Sequence, residues 1–551
     1  MSAPEKKNLR NNRSGGALTE KQAAELKEAQ KLRNYTIGFV VVLALLVVIA
    51  AFAVVNSLLS SSGYLDRKTV AVTIDGQDIS SAELNYYYID SVNSFYNTLR
   101  SNYGDYAGLY GQFIYGIDFS KALGDQEHPN GGTWADYFVN QATQSAKSTY
   151  ALCKAARAEG ISLNEDSQAS LENEIAMIGF YANLSGTKDS TAYLKAMYGN
   201  GATEESFRSY CEDSLLASQY YNSHLDSLVY DDAAIREAEK DKYNEYSSYT
   251  GNYYYISSSS FLQGGVEGED GTVTYSEEAR AAALEAAKAA AEELTSRKYL
   301  NAEAFDKAIA DMEINKGSNV SSTVFTNQLY SQVTSVIRDW ITDSSRQAGD
   351  CTYLPSETTD SEGNTVVNGY YVAYFESVND NTQPLANVRH LLVAFSGGTT
   401  DENGNKVYSD EEKAEALAKA EDYLAQWEAG EKTEDSFAAM VTELTDDTAS
   451  KESGGLYQNI SPASQYVENF LNWAIDDSRK PGDTGIVETE YGYHIMYYVG
   501  DSDLTYRDQM IIDDLKTADQ NTWAEGIIAS VEMTEKNTSR LNRNIVIGSS
   551  N

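Results

Sequence analysis

Two histidines, His390 and His494, are the only imidazoles in the second half of this 551-residue chain, and they bracket a single stretch of it. Each stands near the start of a short apolar run of strand type, Asn387 to Val393 and Tyr491 to Val499. Two such strands in one sheet would set the rings side by side. There they could serve a reaction, or they could be satisfied structural histidines that hold the strands together. A metal role is not expected. His128 and His224 have no Cys or His at ligand spacing, and Cys153, Cys211 and Cys351 lie far apart without a Cys-x-x-Cys. The same scatter argues against a disulfide framework.

The segments between the histidines must position them. Asp410 to Glu428 and Phe437 to Leu444 read as helices, the first opened by Ser409 with Glu412 at capping-box spacing. A polar turn ending in Gly454-Gly455 follows, then Gln465 to Ile475, a break at Pro481-Gly482 and a β-rich end.

This order resembles a parvulin-type peptidyl-prolyl isomerase domain. The resemblance is carried by His390-Leu391-Leu392-Val393, Phe437-Ala438-Ala439-Met440, Thr445-Asp446-Asp447 before Ser450, Gly454-Gly455, Phe470, Pro481-Gly482-Asp483 and Tyr491-Gly492-Tyr493-His494-Ile495. It implies that His390 and His494 form a buried, hydrogen-bonded imidazole pair beneath the site, with Asp447 near the substrate carbonyl as the third catalytic residue. It also implies that Leu456, Tyr466 and Phe470 line a slot for the proline ring and that Thr489 supports the histidines. The family usually has Met where Tyr466 falls, and Gly-Gly-Asp-Leu where this chain has Gly454-Gly455-Leu456, so the shape of the slot stays open. No nucleophile, cofactor or metal is implied. Arg389 stands alone, without a basic cluster, so no phosphorylated residue before proline is required.

The acidic groups number 82 against 42 Lys and Arg, a net charge of −40, which argues against a nucleic-acid partner. Solubility and self-repulsion account for such acidity, and attraction of basic client segments is the functional alternative. Residues 1–33 hold eight Lys or Arg against four Glu, and Tyr35 to Val55 carry no charge. That run spans roughly 30 Å as a helix, enough to cross a bilayer with the basic tail in the cytoplasm. An uncleaved anchor over 34–60 and a cleaved signal peptide are the two readings, and the length of the run favours the anchor.

Beyond it, Val70 to Ile79 reads as a hairpin turning at Asp75-Gly76, and Ser80 caps a helix. Further helices are expected at Trp134 to Ala158, Glu165 to Ile178, Ser190 to Met197, Glu204 to Ser223 and Ala233 to Tyr246. Val72 to Gly76, Ala155 to Ile161 and Thr203 to Phe207 make residues 64–245 similar to the N-terminal chaperone domain of the SurA and PrsA foldases. The many tyrosines there, Tyr86-Tyr87-Tyr88 among them, suit adaptable grips on unfolded chains, or ordinary helix packing.

Residues 246–380 echo the histidine-bearing stretch. Trp340-Ile341-Thr342-Asp343 precedes Trp473-Ala474-Ile475-Asp476 by 133 residues, and Val273 to Ala279 parallels Lys406 to Glu412. Tyr371 falls where His494 does, and Tyr253-Tyr254-Tyr255-Ile256 replaces Arg389-His390-Leu391-Leu392. This reads as a degenerate parvulin-like domain, with a distinct α+β insert as the alternative. Residues 381–502 form the complete copy. Residues 503–551 read as a C-terminal helix, Leu504 to about Val531, and a frayed tail from Asn537.

The expected fold class is therefore α+β multidomain: a transmembrane helix, a mainly helical chaperone domain and two parvulin-like domains, each a small antiparallel sheet with surrounding helices. The expected function is a membrane-anchored, extracytoplasmic foldase that isomerises Xaa-Pro bonds and binds unfolded or newly exported polypeptides containing proline. A homodimer is left open. The rival is a holdase or assembly scaffold with little or no isomerase activity. His390, Asp447 and His494 favour catalysis, whereas the tyrosine-rich helices and the histidine-free repeat favour holding.

Overall fold

The computed structural model describes Lys31, Phe39 and residues 45–240, 242–268, 271–360, 362–401 and 404–546. These fall into two compact units, one ending at Leu228 and completed by Gln520 onward, the other Val229–Asp519. Residues 34–38 and 40–44 of the expected span 34–60 lie outside the described residues. The part that is described is helical from 45 to 61 and leaves Leu46, Val48 and Phe52 more than half exposed. No helix among the described residues is long and apolar enough to cross a membrane.

In the first unit, strands Val70–Ile74 and Gln77–Ser80 form a hairpin whose Asp75 and Gly76 both have positive φ, as a two-residue turn of matching twist requires. Ser80 and Glu83 close a reciprocal capping box on helix Ser81–Tyr103, and Thr133 with Asp136 does the same for Trp134–Ala158. The core joins Tyr88, Ile89 and Val92 of the first helix to Phe138, Val139 and Ala142 of the second. Helix Glu165–Leu184 runs past the expected end at Ile178, because the following Gly179 to Leu184 contains no proline and Ala182 is buried. Helices Ser190–Tyr198 and Glu204–Ser227 complete the helical part.

The C-terminal end is better ordered than the expectation of fraying from Asn537. Strand Met533–Glu535 pairs with Val70–Ile74, Leu541 is buried in the same core, and Arg540 pairs with Asp66 at 3.1 Å. Trp523 stacks flat on His224, ring centroids 3.9 Å apart. The helix expected over 233–246 stops at Glu239 and gives way to a short turn at Tyr243–Tyr246.

Among the described residues the second unit holds two four-stranded antiparallel sheets with one strand order. The first runs Thr323–Leu329, Ser248–Ser257, Thr365–Asn379, Cys351–Thr359. The second runs Leu456–Ile460, Pro384–Ala394, Gly492–Thr505, Thr484–Thr489. In both, a small two-stranded hairpin (Val266–Glu267 with Val273–Thr274, and Thr399–Thr400 with Lys406–Val407) separates the first strand from the first long helix. Tyr255 faces Tyr371 in the first sheet as Leu392 faces His494 in the second. The residue at the place of His390 is therefore Tyr253, one position before the expected Tyr254.

The second sheet sorts its side chains by alternation. Leu391, Val393, Tyr493, Ile495 and Tyr497 face helices Asp410–Ala429 and Glu434–Leu444. Val388, Met496 and Tyr498 face helix Glu468–Ala474, and the two histidines share that side.

Where the two modules meet, Arg507 is 2% exposed. Its guanidinium pairs with Glu239, donates to the carbonyls of Asp380 (3.0 Å) and Tyr243, and lies 3.9 Å over the Tyr243 ring. Asn381 beside it donates to Tyr246 O and Ser248 Oγ.

Candidate active site

His390 faces Met496 across the central strand pair and His494 faces Leu392, so the histidines are diagonal neighbours on one face. That diagonal brings their Nδ1 atoms to 3.0 Å, with the rings 5.1 Å apart between centroids. Both rings are buried, and Phe470 stands edge-on against each, at 5.3 and 5.5 Å.

Asp447 reaches them through the backbone. After helix Glu434–Leu444, the amide of Asp446 donates to Leu392 O at 2.9 Å and the Asp446 carboxylate accepts from Ala394 N. Thr445 Oγ1 accepts from the amides of both Leu392 and Asp447. The segment so fixed sets Asp447 Oδ2 3.1 Å from His390 Nε2. Below it the chain turns through Ser450 to Gly455, whose carbonyl accepts from His390 N at 3.0 Å. Gly455 has φ +71°, and a Cβ there would lie 2.2 Å from His390 O. Gly455→Ala is therefore expected to cost roughly 1–3 kcal/mol from the backbone conformation alone, more with the clash, and to lower activity with it. A urea titration against the parent chain measures this.

The polar groups form one directed chain. Burial pushes both imidazoles below their usual value, His390 against the pull of Asp447, and His494 down to about 3 with the neighbouring His390 adding to the effect. Burial works to raise Asp447, but hydrogen bonds from Ser450 Oγ (2.5 Å) and the Ala449 amide, together with His390, hold it below the usual carboxylate range. An ionised Asp447 only accepts, so His390 donates from Nε2 and its Nδ1 must accept. His494 then donates from Nδ1, and its Nε2 accepts from Thr489 Oγ1 at 2.9 Å. Every hydroxyl and N–H in the series points towards the carboxylate.

This neutral pair carries a pH signature. Unfolded histidines titrate near 6.5, so below that pH the unfolded chain takes up protons that the folded one refuses. Stability is then lost from about pH 6.5 downward, through the folded value near 3 for His494, by an amount on the order of 5 kcal/mol. Asp447, whose folded value is depressed, contributes stability above the unfolded carboxylate range that is lost at still lower pH. The turnover of the folded protein should stay flat from about pH 5 to 9. A step in rate near pH 6.5 would contradict the neutral assignment.

Above the pair opens a cavity of about 350 Å³, lined by His390, Leu392, Asp447, Tyr457, Gln465, Tyr466, Val467, Phe470, Tyr491 and His494. Of the residues that the resemblance assigned to a proline slot, Tyr466 and Phe470 line this cavity, and Thr489 lies behind His494. Leu456 does not. It pairs with Arg389 and points to the opposite face, and by alternation Tyr457 takes the slot, its hydroxyl 3.4 Å from Asp447 Oδ2. The sequence reading also gave no role to Ser450, Leu392 or Tyr491. The period-2 pattern that starts at His390 already points to Leu392, but the register that selects Tyr457 is set by an edge strand too short to show a pattern. Arg389 is held by Glu434 at 2.9 Å and by the carbonyls of Ser453 and Gly454, and among the described residues no Lys or Arg lines the cavity.

Residues 370–500 match the family described as the PPIC-type PPIASE domain, so the chain carries a parvulin-type peptidyl-prolyl isomerase domain. Among solved structures, the chain is similar to the peptidylprolyl isomerase PrsA from Bacillus cereus, with 21% identity over 27% of this chain and 50% of that one and a TM-score of 0.17. It is also similar to PrsA from Bacillus subtilis, with 12% identity over 75% of this chain and 91% of that one and a TM-score of 0.24. A SurA-like chaperone of Campylobacter jejuni is matched with 14% identity, over 68% and 97% of the two chains, and a TM-score of 0.14. The chain spans about half the length of the Bacillus cereus protein. No curated protein sequence matches it.

Proposed function

We propose that the chain is a membrane-anchored, extracytoplasmic foldase that isomerises Xaa-Pro bonds in exported polypeptides and holds those polypeptides while they are unfolded. The observation that carries the catalytic part is the directed series from Thr489 through His494 and His390 to Asp447, set beneath a mostly aromatic cavity.

Rotation about a peptide bond is slow because resonance gives the C–N bond double-bond character and puts negative charge on oxygen. An apolar slot disfavours that charge separation and so favours the twisted form. Tyr457, Tyr466 and Phe470 supply such a slot for the proline ring. The Asp447 carboxylate beside the carbonyl opposes charge on its oxygen and weakens the double bond further. The histidines act as positioning residues: they hold Asp447 ionised and aimed.

Support for the anchor is the uncharged run from Tyr35 to Val55 behind a basic tail, and the apolar side chains left exposed from Leu45 to Leu58. In the first module of the second unit, Tyr253 and Tyr371 replace the histidines on the same strand order, which favours a parvulin-like scaffold without isomerase activity. Cis-to-trans exchange in an Xaa-Pro peptide, measured with the full chain, tests the proposal. Catalysed exchange that disappears in His494→Ala, with the fold intact by circular dichroism, is the expected result. Uncatalysed exchange from a folded chain would leave the holding role alone.

A further inference from the structure

The first unit contains a groove that none of the catalytic argument uses. It runs along helix Ser81–Tyr103 as a cavity of about 520 Å³ and an adjoining shallow cavity, open and lined by that helix alone, that share Asp90, Ser94 and Thr98. From Asp90 to Asn102 the helix rises roughly 18 Å, the length of about five residues of extended chain. The lining has two characters. Along the helix it is hydroxyl and amide: Asn93, Asn97 and Ser101 continue the row begun by Ser94 and Thr98. Such neutral groups can both donate and accept, which suits the N–H and C=O of a polypeptide backbone of any sequence.

The first cavity also has an aromatic lining, with Tyr87, Phe95, Tyr137 and Tyr210 in the same cavity as Asp90. Tyr210 donates to Asp90 Oδ2 at 2.5 Å and stands edge-on to Tyr87, ring centroids 4.8 Å apart. Among the described residues Asp90 is the only charged one that lines either cavity, and no basic group is paired with it. A carboxylate that shares a cavity with aromatic side chains and has no basic partner can receive an ammonium or guanidinium group.

We propose that this groove binds an extended polypeptide segment by its backbone and seats a lysine or arginine side chain of that segment on Asp90. The inference rests on the reading of the chain as one that holds unfolded polypeptide, and it adds to that reading a place and a preference. The occupant is a basic segment because the one charge in the groove is negative, as is the chain as a whole at −40.

The test uses the full chain and fluorescently labelled, proline-free Gly/Ser/Ala peptides of about nine residues with one central Lys, norleucine or Glu. Binding is read by anisotropy at near-physiological salt. The Lys peptide should bind about tenfold tighter than the norleucine peptide, and Asp90→Asn should remove that difference. Ser94→Phe, at an exposed position shared by both cavities, should weaken all three peptides. Both variants should keep the parent circular dichroism and Xaa-Pro exchange rate; if one fails to fold, the other decides. A lysine preference that survives Asp90→Asn, or peptide binding untouched by Ser94→Phe, overturns the groove while leaving the holding role. Absence of binding by any peptide overturns both.

Discussion

Asp447→Asn is expected to lower kcat/KM for Xaa-Pro isomerisation by about a hundredfold while the chain stays folded. An asparagine carbonyl can still accept from His390 Nε2, so the direction of the hydrogen-bonded series survives and only the charge is lost. A hundredfold loss corresponds to about 2.7 kcal/mol of barrier, a scale that one fixed charge in a desolvated site can supply. Asp447→Ala should cost the same activity and in addition about 1–3 kcal/mol of stability, because His390 Nε2 and Ser450 Oγ lose their common acceptor. Peptide exchange and urea titration on the two variants separate the effects. If the asparagine variant keeps the parent rate, orientation of the histidines and not charge at Asp447 drives the reaction.

The largest loss of stability should come from outside the site. Arg507→Met is expected to destabilise the second unit by roughly 3–5 kcal/mol, the range for breaking one side of a buried ion pair. The methionine fills part of the volume but leaves the carbonyls of Asp380 and Tyr243 without their donor and Glu239 with only Arg236. A shifted urea midpoint, followed by the fluorescence of Trp340, Trp427 and Trp473, reports it. Since Arg507 lies away from the cavity, the folded fraction should keep its isomerase rate. An unchanged midpoint would mean that solvent replaces the guanidinium at no cost.

What could be read from the sequence was what local spacing encodes. Asp75-Gly76 announces its hairpin, Ser80 with Glu83 and Ser409 with Glu412 announce their helices, and two apolar runs with one histidine each announce a shared sheet. The parvulin resemblance then supplied Asp447, Tyr466, Phe470 and Thr489, which the fold gathers around the pair. Apart from the helix ends at Leu184 and Glu239, the misplacements turn on register or on distant partners. Leu456 and Tyr457 are adjacent, and only the pairing with Arg389 and Val388 decides which faces the slot. Tyr253 and Tyr254 exchange roles for the same reason. Arg507 looks like any helix-start arginine, because Glu239 and Asp380 lie more than a hundred residues upstream. The segment after Asn537 is polar in composition, yet one buried leucine, Leu541, fastens it.

The small hairpin between first strand and first helix occurs at the same point in both modules, with Val273-Thr274-Tyr275-Ser276 standing where Lys406-Val407-Tyr408-Ser409 does. Each hairpin occupies the interval in which the chain leaves its sheet and turns into the long helix packed on it. The two modules thus share a connection as well as a strand order, while the facing ring pair differs, imidazoles in one and phenols in the other.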